Sequence, residues 1–151
     1  MYPMPLPILH YSAPQRVHVE NEWYDGPRAG VTELEGIPHR FLSEFDEEED
    51  EYMGTFLVWP IDKSELALEQ EQWEIFVKWN EKYEAGLVAM ETHPGHLGTN
   101  RRWDEINETL AARREFPPRS ARRAKAQLIY IEDQQRYSAS GPAYQLSWAI
   151  L

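Results

Sequence analysis

Ile61–Gly86 constrains the fold more than any other stretch: it reads as one element only, and it needs more cover than a single neighbour supplies. Asp62 is placed to cap a helix. Glu65, three residues on, holds the capping-box position, with aspartate in the usual Ser/Thr role. Ile61 before the cap and Leu66 at the fourth helical position form the matching hydrophobic staple, and Gly86 supplies a left-handed stop. Leu66, Trp73, Phe76, Val77, Tyr83 and Leu87 fall on one broad face at helical spacing, with Leu68, Ile75 and Trp79 flanking it. So wide an apolar arc predicts burial against both a sheet and a second helix.

The flanking segments have strand periodicity. Over 16–25, Val17 and Val19 alternate with His18 and Glu20. Asp25-Gly26-Pro27 is turn chemistry, Gly30 lets the chain swing into the next strand, and Glu35-Gly36 is a hairpin turn between 31–34 and 37–45. In that second arm Ile37, His39, Phe41, Ser43 and Phe45 share one face. A charged loop over 46–54 leads to a largely apolar strand over 55–61. After the helix and the loop METHPGHLGTN, residues 101–116 read as a second helix with Trp103, Ile106 and Leu110 inward, ended by Pro117-Pro118. Two final strands, 124–133 and 143–151, flank a polar turn segment holding Gly141-Pro142. Strands, two helices, then strands argue for an α+β fold: an antiparallel, strongly bent sheet of five to six strands with a two-helix insertion packed on one face, and strands this short also allow a barrel-like form. Residues 1–151 form one domain, with a proline-rich arm over 1–15, strands over 16–61, helices over 62–116 and C-terminal strands over 122–151.

Composition narrows the chemistry. The chain has no cysteine, which removes disulfides, thiolate catalysis and Cys-based zinc sites and fits a reducing cytoplasm. No run approaches a membrane span, and the start lacks the basic and apolar regions of a signal peptide. The net charge of −11 is concentrated in residues 1–91, whereas residues 92–151 are weakly basic. Direct binding of nucleic acid or a membrane surface is disfavoured on charge, and a basic protein partner is favoured. Arg122–Lys125 reads as a strand entrance that balances the acidic half.

Several residues stand out as site candidates. Trp23, Tyr24 and Arg28 are left over once the turn over 25–30 is accounted for. His39 sits among core residues, either bonded to backbone or lining a pocket, and Asn80 falls inside the apolar arc of the first helix, with Glu69 projecting to the same side. With Trp73, these residues would make a Trp-lined polar pocket between helix and sheet. Glu47, Glu48, Glu49 and Asp50 form an acidic cluster without the spaced oxygens and central glycine of an EF-hand loop. It reads as a solvated loop and, functionally, as a face for a basic partner. His93 and His96, with Glu91 nearby, suggest metal ligation, although Pro94-Gly95 makes the segment a turn and the histidines lack the four-residue helical spacing of a zinc hydrolase.

With WYDGPRAG over 23–30 followed by PHRF, DEEEDEY, WEIFVKWNEKYEAG and THP, residues 22–96 resemble a group of uncharacterised bacterial proteins. The resemblance implies a bacterial origin and brings no activity, cofactor or site residue. No G-x-S-x-G, P-loop or Rossmann fingerprint is present, and no cofactor is indicated. The expectation is a non-enzymatic accessory protein that holds a protein partner through its acidic face. The alternatives are a small-ligand binding domain and, after it, a metal-dependent hydrolase. Oligomeric state is not legible.

Overall fold

Eight strands and two helices organise residues 8–151, the part of the chain that the computed structural model describes; the arm's first seven residues lie outside it. The strands are β1 (Gln15–Trp23), β2 (Pro27–Leu34), β3 (Ile37–Asp46), β4 (Glu51–Pro60), β5 (Arg122–Tyr130), β6 (Tyr137–Ser138), β7 (Gly141–Pro142) and β8 (Tyr144–Ile150). The helices α1 (Lys63–Glu84) and α2 (Arg101–Glu115) are inserted between β4 and β5, with a short 3-10 turn at Met90–Thr92. Six antiparallel strands close into a barrel in the order β1-β2-β3-β4-β5-β8, and β6-β7 form a separate small hairpin. The fold is thus α+β with an antiparallel sheet, and the bend expected of its short strands goes as far as closure. Closure removes every exposed edge of the main sheet. Among the described residues no helix is long and apolar enough to cross a membrane.

Closure divides the apolar residues into two cores. Inside the barrel lie Val17, Leu34, Phe41, Phe56, Val58, Ala124, Tyr144, Leu146 and Trp148. Between the barrel and α1 lie Val19, Val31, Trp59, Ile61, Trp73 and Val77. Val17 and Val19 belong to different cores because the β1–β2 register shifts between them, breaking the alternation with a bulge. Strands covered on both faces bury successive positions, which is why β3 buries His39, Arg40 and Phe41 in a row, the two polar ones held by hydrogen bonds.

The turns follow the expected chemistry with two corrections. Glu35 adopts φ 55° in the β2–β3 hairpin, as a two-residue primed turn requires. The acidic segment is shorter than expected, because β4 starts at Glu51 and leaves a tight turn over 47–50 in which the Asp46 carboxylate accepts from the Glu48 and Glu49 N–H groups. Gly30 is not a swing point. It sits inside β2, paired with Glu20 and Phe41, and a Cβ there would run into the Val19 carbonyl oxygen and the Phe41 ring edge. The described end of the arm is tied to the body: the Ser12 N–H donates to the Trp148 carbonyl at 2.8 Å, and the Trp148 N–H donates to Ser12 Oγ at 3.0 Å.

In α1 the Asp62 carboxylate accepts from the Glu65 N–H at 2.8 Å, and Gly86, at φ 74°, closes a Schellman end through Leu87 N–H to the Lys82 carbonyl. The Glu65 side chain does not complete a capping box, because two arginines hold it elsewhere. The buried stripe of α1 also differs from the apolar arc. Its buried residues are Glu65, Glu69, Gln72, Trp73 and Val77, while Tyr83 and Leu87 are exposed because the helix outruns the barrel wall.

Candidate functional site

The polar stripe of α1 faces β1, β3 and α2 and builds a network of buried charge. Glu65, Glu69, Gln72 and Phe76 are spaced i, i+4, i+7, i+11, which places them on one helix face. Arg40, 1% exposed, donates to Glu65 Oε2 at 2.8 Å and to Glu69 Oε2 at 2.6 Å. From α2, Arg113 donates to Glu65 Oε1 at 2.9 Å, and Arg114 bonds both Glu69 oxygens, Gln72 Oε1 and Asn107 Oδ1. Asn21 of β1 donates to Glu69 Oε1 at 3.2 Å. Burial by itself raises the Glu69 carboxyl, but hydrogen bonding and charge from Arg114, then Arg40, outweigh it and hold the group below the usual carboxylate range.

Beside this network a cavity of about 350 Å³ opens between β1, α1, α2 and the β6–β7 hairpin. Val19 to Trp23 form one wall, and Glu69, Gln72, Trp73 and Phe76 another. His93, Trp103, Arg114 and Tyr137 complete it. The aromatic members pack on one another: Phe76 meets Tyr137 edge to face at 4.9 Å, and Trp73 meets Phe76 at 5.6 Å. Trp73 Nε1–H is already bonded to the Ser138 carbonyl at 2.7 Å. Behind the wall, the Arg136 guanidinium lies over the Trp23 and Tyr137 rings at 4.7 and 4.5 Å and binds Glu20, which also accepts from the Tyr144 hydroxyl. Burial, then the Glu20 charge, pushes the Tyr144 phenol up, so it stays a proton donor to Glu20.

The six expected pocket residues divide among four places. Trp23 and Trp73 line the cavity. Tyr24 and Arg28 do not. Arg28 lies over the Tyr52 ring at 3.7 Å and donates to the Tyr24 and Asp25 carbonyls, on a shallow surface beyond the β1–β2 turn, so it points at neither Asn80 nor His39. The physical reason is the left-handed turn at Asp25 and Gly26, which folds the Arg28 side chain back onto its own loop. His39 is a satisfied core histidine, 3% exposed, with Nδ1 bonded to the Ile37 carbonyl at 2.9 Å. Asn80 is half-buried and lies outside the cavity, one turn past Phe76. The buried polar groups of α1 are instead Glu65, Glu69 and Gln72. Of Trp23, Tyr24, Arg28, His39, Trp73 and Asn80, the structure brings only the two tryptophans together in this cavity. The acidic residues Glu47, Glu48, Glu49 and Asp50 sit on the exposed tip of the β3–β4 hairpin.

His93 and His96 lie 6.0 Å apart between ring centroids, and among the described residues no group of three His, Asp or Glu side chains converges on a metal position. His93 lines the cavity by packing against Trp79 at 4.6 Å and Phe76 at 5.8 Å. Its Nδ1 accepts from the Gly95 N–H at 2.8 Å, which fixes the neutral ring with its proton on Nε2. Burial, then the nearby His96, lowers its pKa. Expected outcome: the His93 ring nitrogens show the neutral Nε2–H tautomer in NMR at about pH 6.5, where an unperturbed histidine is half protonated. A half-protonated His93 there would contradict the assigned hydrogen bond.

Sequence periodicity missed Arg40, Gln72, Trp103, Arg114 and Tyr137. The legible signal was the Glu65–Glu69–Gln72–Phe76 spacing, a polar stripe running beside the apolar one. The charge asymmetry of the chain also acquires an internal cause. Glu20–Arg136, Glu35–Arg122, Glu44–Arg123, Glu65–Arg113, Glu69–Arg114 and Glu71–Arg102 each pair the acidic part of the chain with the basic part. Comparison with family models, curated proteins and solved structures finds no match to this chain.

Proposed function

We propose that this protein is a small-ligand binding domain whose ligand enters the cavity between β1 and the helical pair. The observation that carries the reading is the cavity itself: a concave, aromatic-walled space of about 350 Å³, inside the size range of small-molecule sites, beside a saturated charge network. Glu69, Arg40 and Asn21 hold one another and resist rearrangement, which lowers the ordering cost of binding. Binding is favoured over turnover because the buried carboxylates that face the cavity, Glu20 and Glu69, are engaged by arginines and not poised as free bases. The cysteine-free chain supports a cytoplasmic setting. A basic protein partner is the weaker reading, since Glu20, Glu35, Glu44, Glu65, Glu69 and Glu71 of the acidic half are paired within the chain and the Glu47–Asp50 tip is an exposed turn with no concave site of its own.

A ligand-observed NMR screen of small aromatic molecules tests the reading. Binders are expected whose signal falls about tenfold with Trp23→Ala, a substitution at a residue 38% exposed and so tolerated by the fold. No binders, or binders indifferent to Trp23→Ala, would remove the proposal.

A further inference from the structure

Resting on that reading, the hydrogen-bonding groups left free in the cavity specify the chemistry of its ligand. The buried charged groups there are matched, while Glu22 stands exposed at the rim. Glu69 accepts from Arg114, Arg40 and Asn21, and Glu20 from Arg136 and Tyr144. Gln72 is engaged at both ends, by Arg114 at its oxygen and by Asn107 at its nitrogen. At the buried end an ionic ligand would have to displace one of these partners and leave a buried charge behind. The free groups at that end are donors instead. Trp103 Nε1–H is buried with no hydrogen-bond partner among the described residues. His93, whose Nδ1 is held by the Gly95 N–H, carries its proton on Nε2, and the two rings stand edge to face with centroids 6.3 Å apart. The opposing surfaces, Trp23, Trp73, Phe76 and Tyr137, present π faces and edges that hold a flat ring.

We infer that the cavity takes an uncharged, planar heteroaromatic ligand of about two fused rings, with a hydrogen-bond acceptor on the edge that meets Trp103 Nε1–H and His93 Nε2–H. A ligand acceptor pairs this buried donor, whereas a flat hydrocarbon of the same outline leaves it unpaired.

Quinoline and naphthalene share an outline and differ by one ring-nitrogen acceptor, so they make the probe pair, with 1,8-naphthyridine adding a second acceptor on the same edge. Titration at neutral pH is expected to give quinoline about tenfold tighter binding than naphthalene, with 1,8-naphthyridine at least equal to quinoline. Trp103→Phe is expected to cut the quinoline-to-naphthalene affinity ratio measured within that variant. If that variant does not fold, the indole N–H resonance of Trp103 in the unmodified protein decides: it moves downfield with quinoline and not with naphthalene. Equal binding of quinoline and naphthalene would overturn the donor assignment while leaving the ligand-binding reading in place. So would an advantage undiminished by Trp103→Phe, or an indole signal that ignores quinoline. Failure of all three probes to bind, alongside binders of other shapes in the aromatic screen, would overturn the ligand class alone, and failure of both the probes and the screen would overturn both.

Discussion

Glu69→Gln is expected to destabilise the fold by about 3–5 kcal/mol in denaturant unfolding at neutral pH. The substitution keeps the shape and removes the charge. The amide that replaces one oxygen turns a donor toward Arg40 or Arg114, both of which are donors only. Three arginines, Arg40, Arg113 and Arg114, share two carboxylates, so losing Glu69 leaves two positive charges in excess; Arg113 reaches solvent, but Arg40 does not. Arg40→Met acts in the opposite sense: it leaves Glu65 with Arg113 and Glu69 with Arg114, two matched pairs, and is expected to cost about 1–2 kcal/mol. If Arg40→Met proves as costly as Glu69→Gln, the charge count does not govern this network. The pH dependence follows from the same contacts. The Glu69 carboxyl lies lower in the folded chain than in the unfolded one, so its stabilisation is complete above the unfolded value of about 4.3 and is lost as pH falls through it toward the folded value. The acid limb of the stability curve should therefore be shallower in Glu69→Gln than in the parent.

Trp148→Ala is expected to cost about 3–5 kcal/mol, and Trp148→Phe about 1–2 kcal/mol. The Trp148 ring stands at the centre of the barrel, 5.4 Å from Phe56 and 5.6 Å from Phe41, with Nε1–H bonded to Thr32 Oγ1 at 3.3 Å. A closed barrel cannot collapse around a missing indole without breaking strand pairing, so most of the cavity would persist. Phenylalanine refills most of the volume and gives up one long hydrogen bond. Urea unfolding with an unchanged m-value is the measurement. A loss below about 1 kcal/mol for Trp148→Ala would mean that the interior relaxes freely and is not a close-packed core.

Local signals made most of the architecture legible. Caps at Asp62 and Gly86, the hairpin turn at Glu35-Gly36 and the double proline after α2 are decided by a few neighbouring residues, and the structure places all of them within a residue or two of expectation. The alternation of Tyr144, Leu146 and Trp148 likewise marked the barrel interior, although Ile150 escapes to solvent at the barrel end. Legibility stopped where a residue's environment comes from a distant segment. Arg28 read as a pocket residue because its turn was visible and its stacking on Tyr52, 24 positions away, was not. Glu65 read as a capping partner because Asp62 was visible, whereas Arg113, 48 positions on, was not.

By itself, then, the amino-acid sequence determined the elements, their order and the antiparallel α+β plan, because periodicity, caps and turns act over a few residues. The tertiary structure alone decided where the first strand's bulge would divide its two valines between separate cores. It also decided which face of α1 would be buried, and that an arginine from β3 and two from α2 would meet the glutamates there. Those outcomes rest on long-range contacts whose Coulomb and desolvation energies exist only once barrel closure brings the partners together. The donor-lined cavity beside them is a product of the same closure.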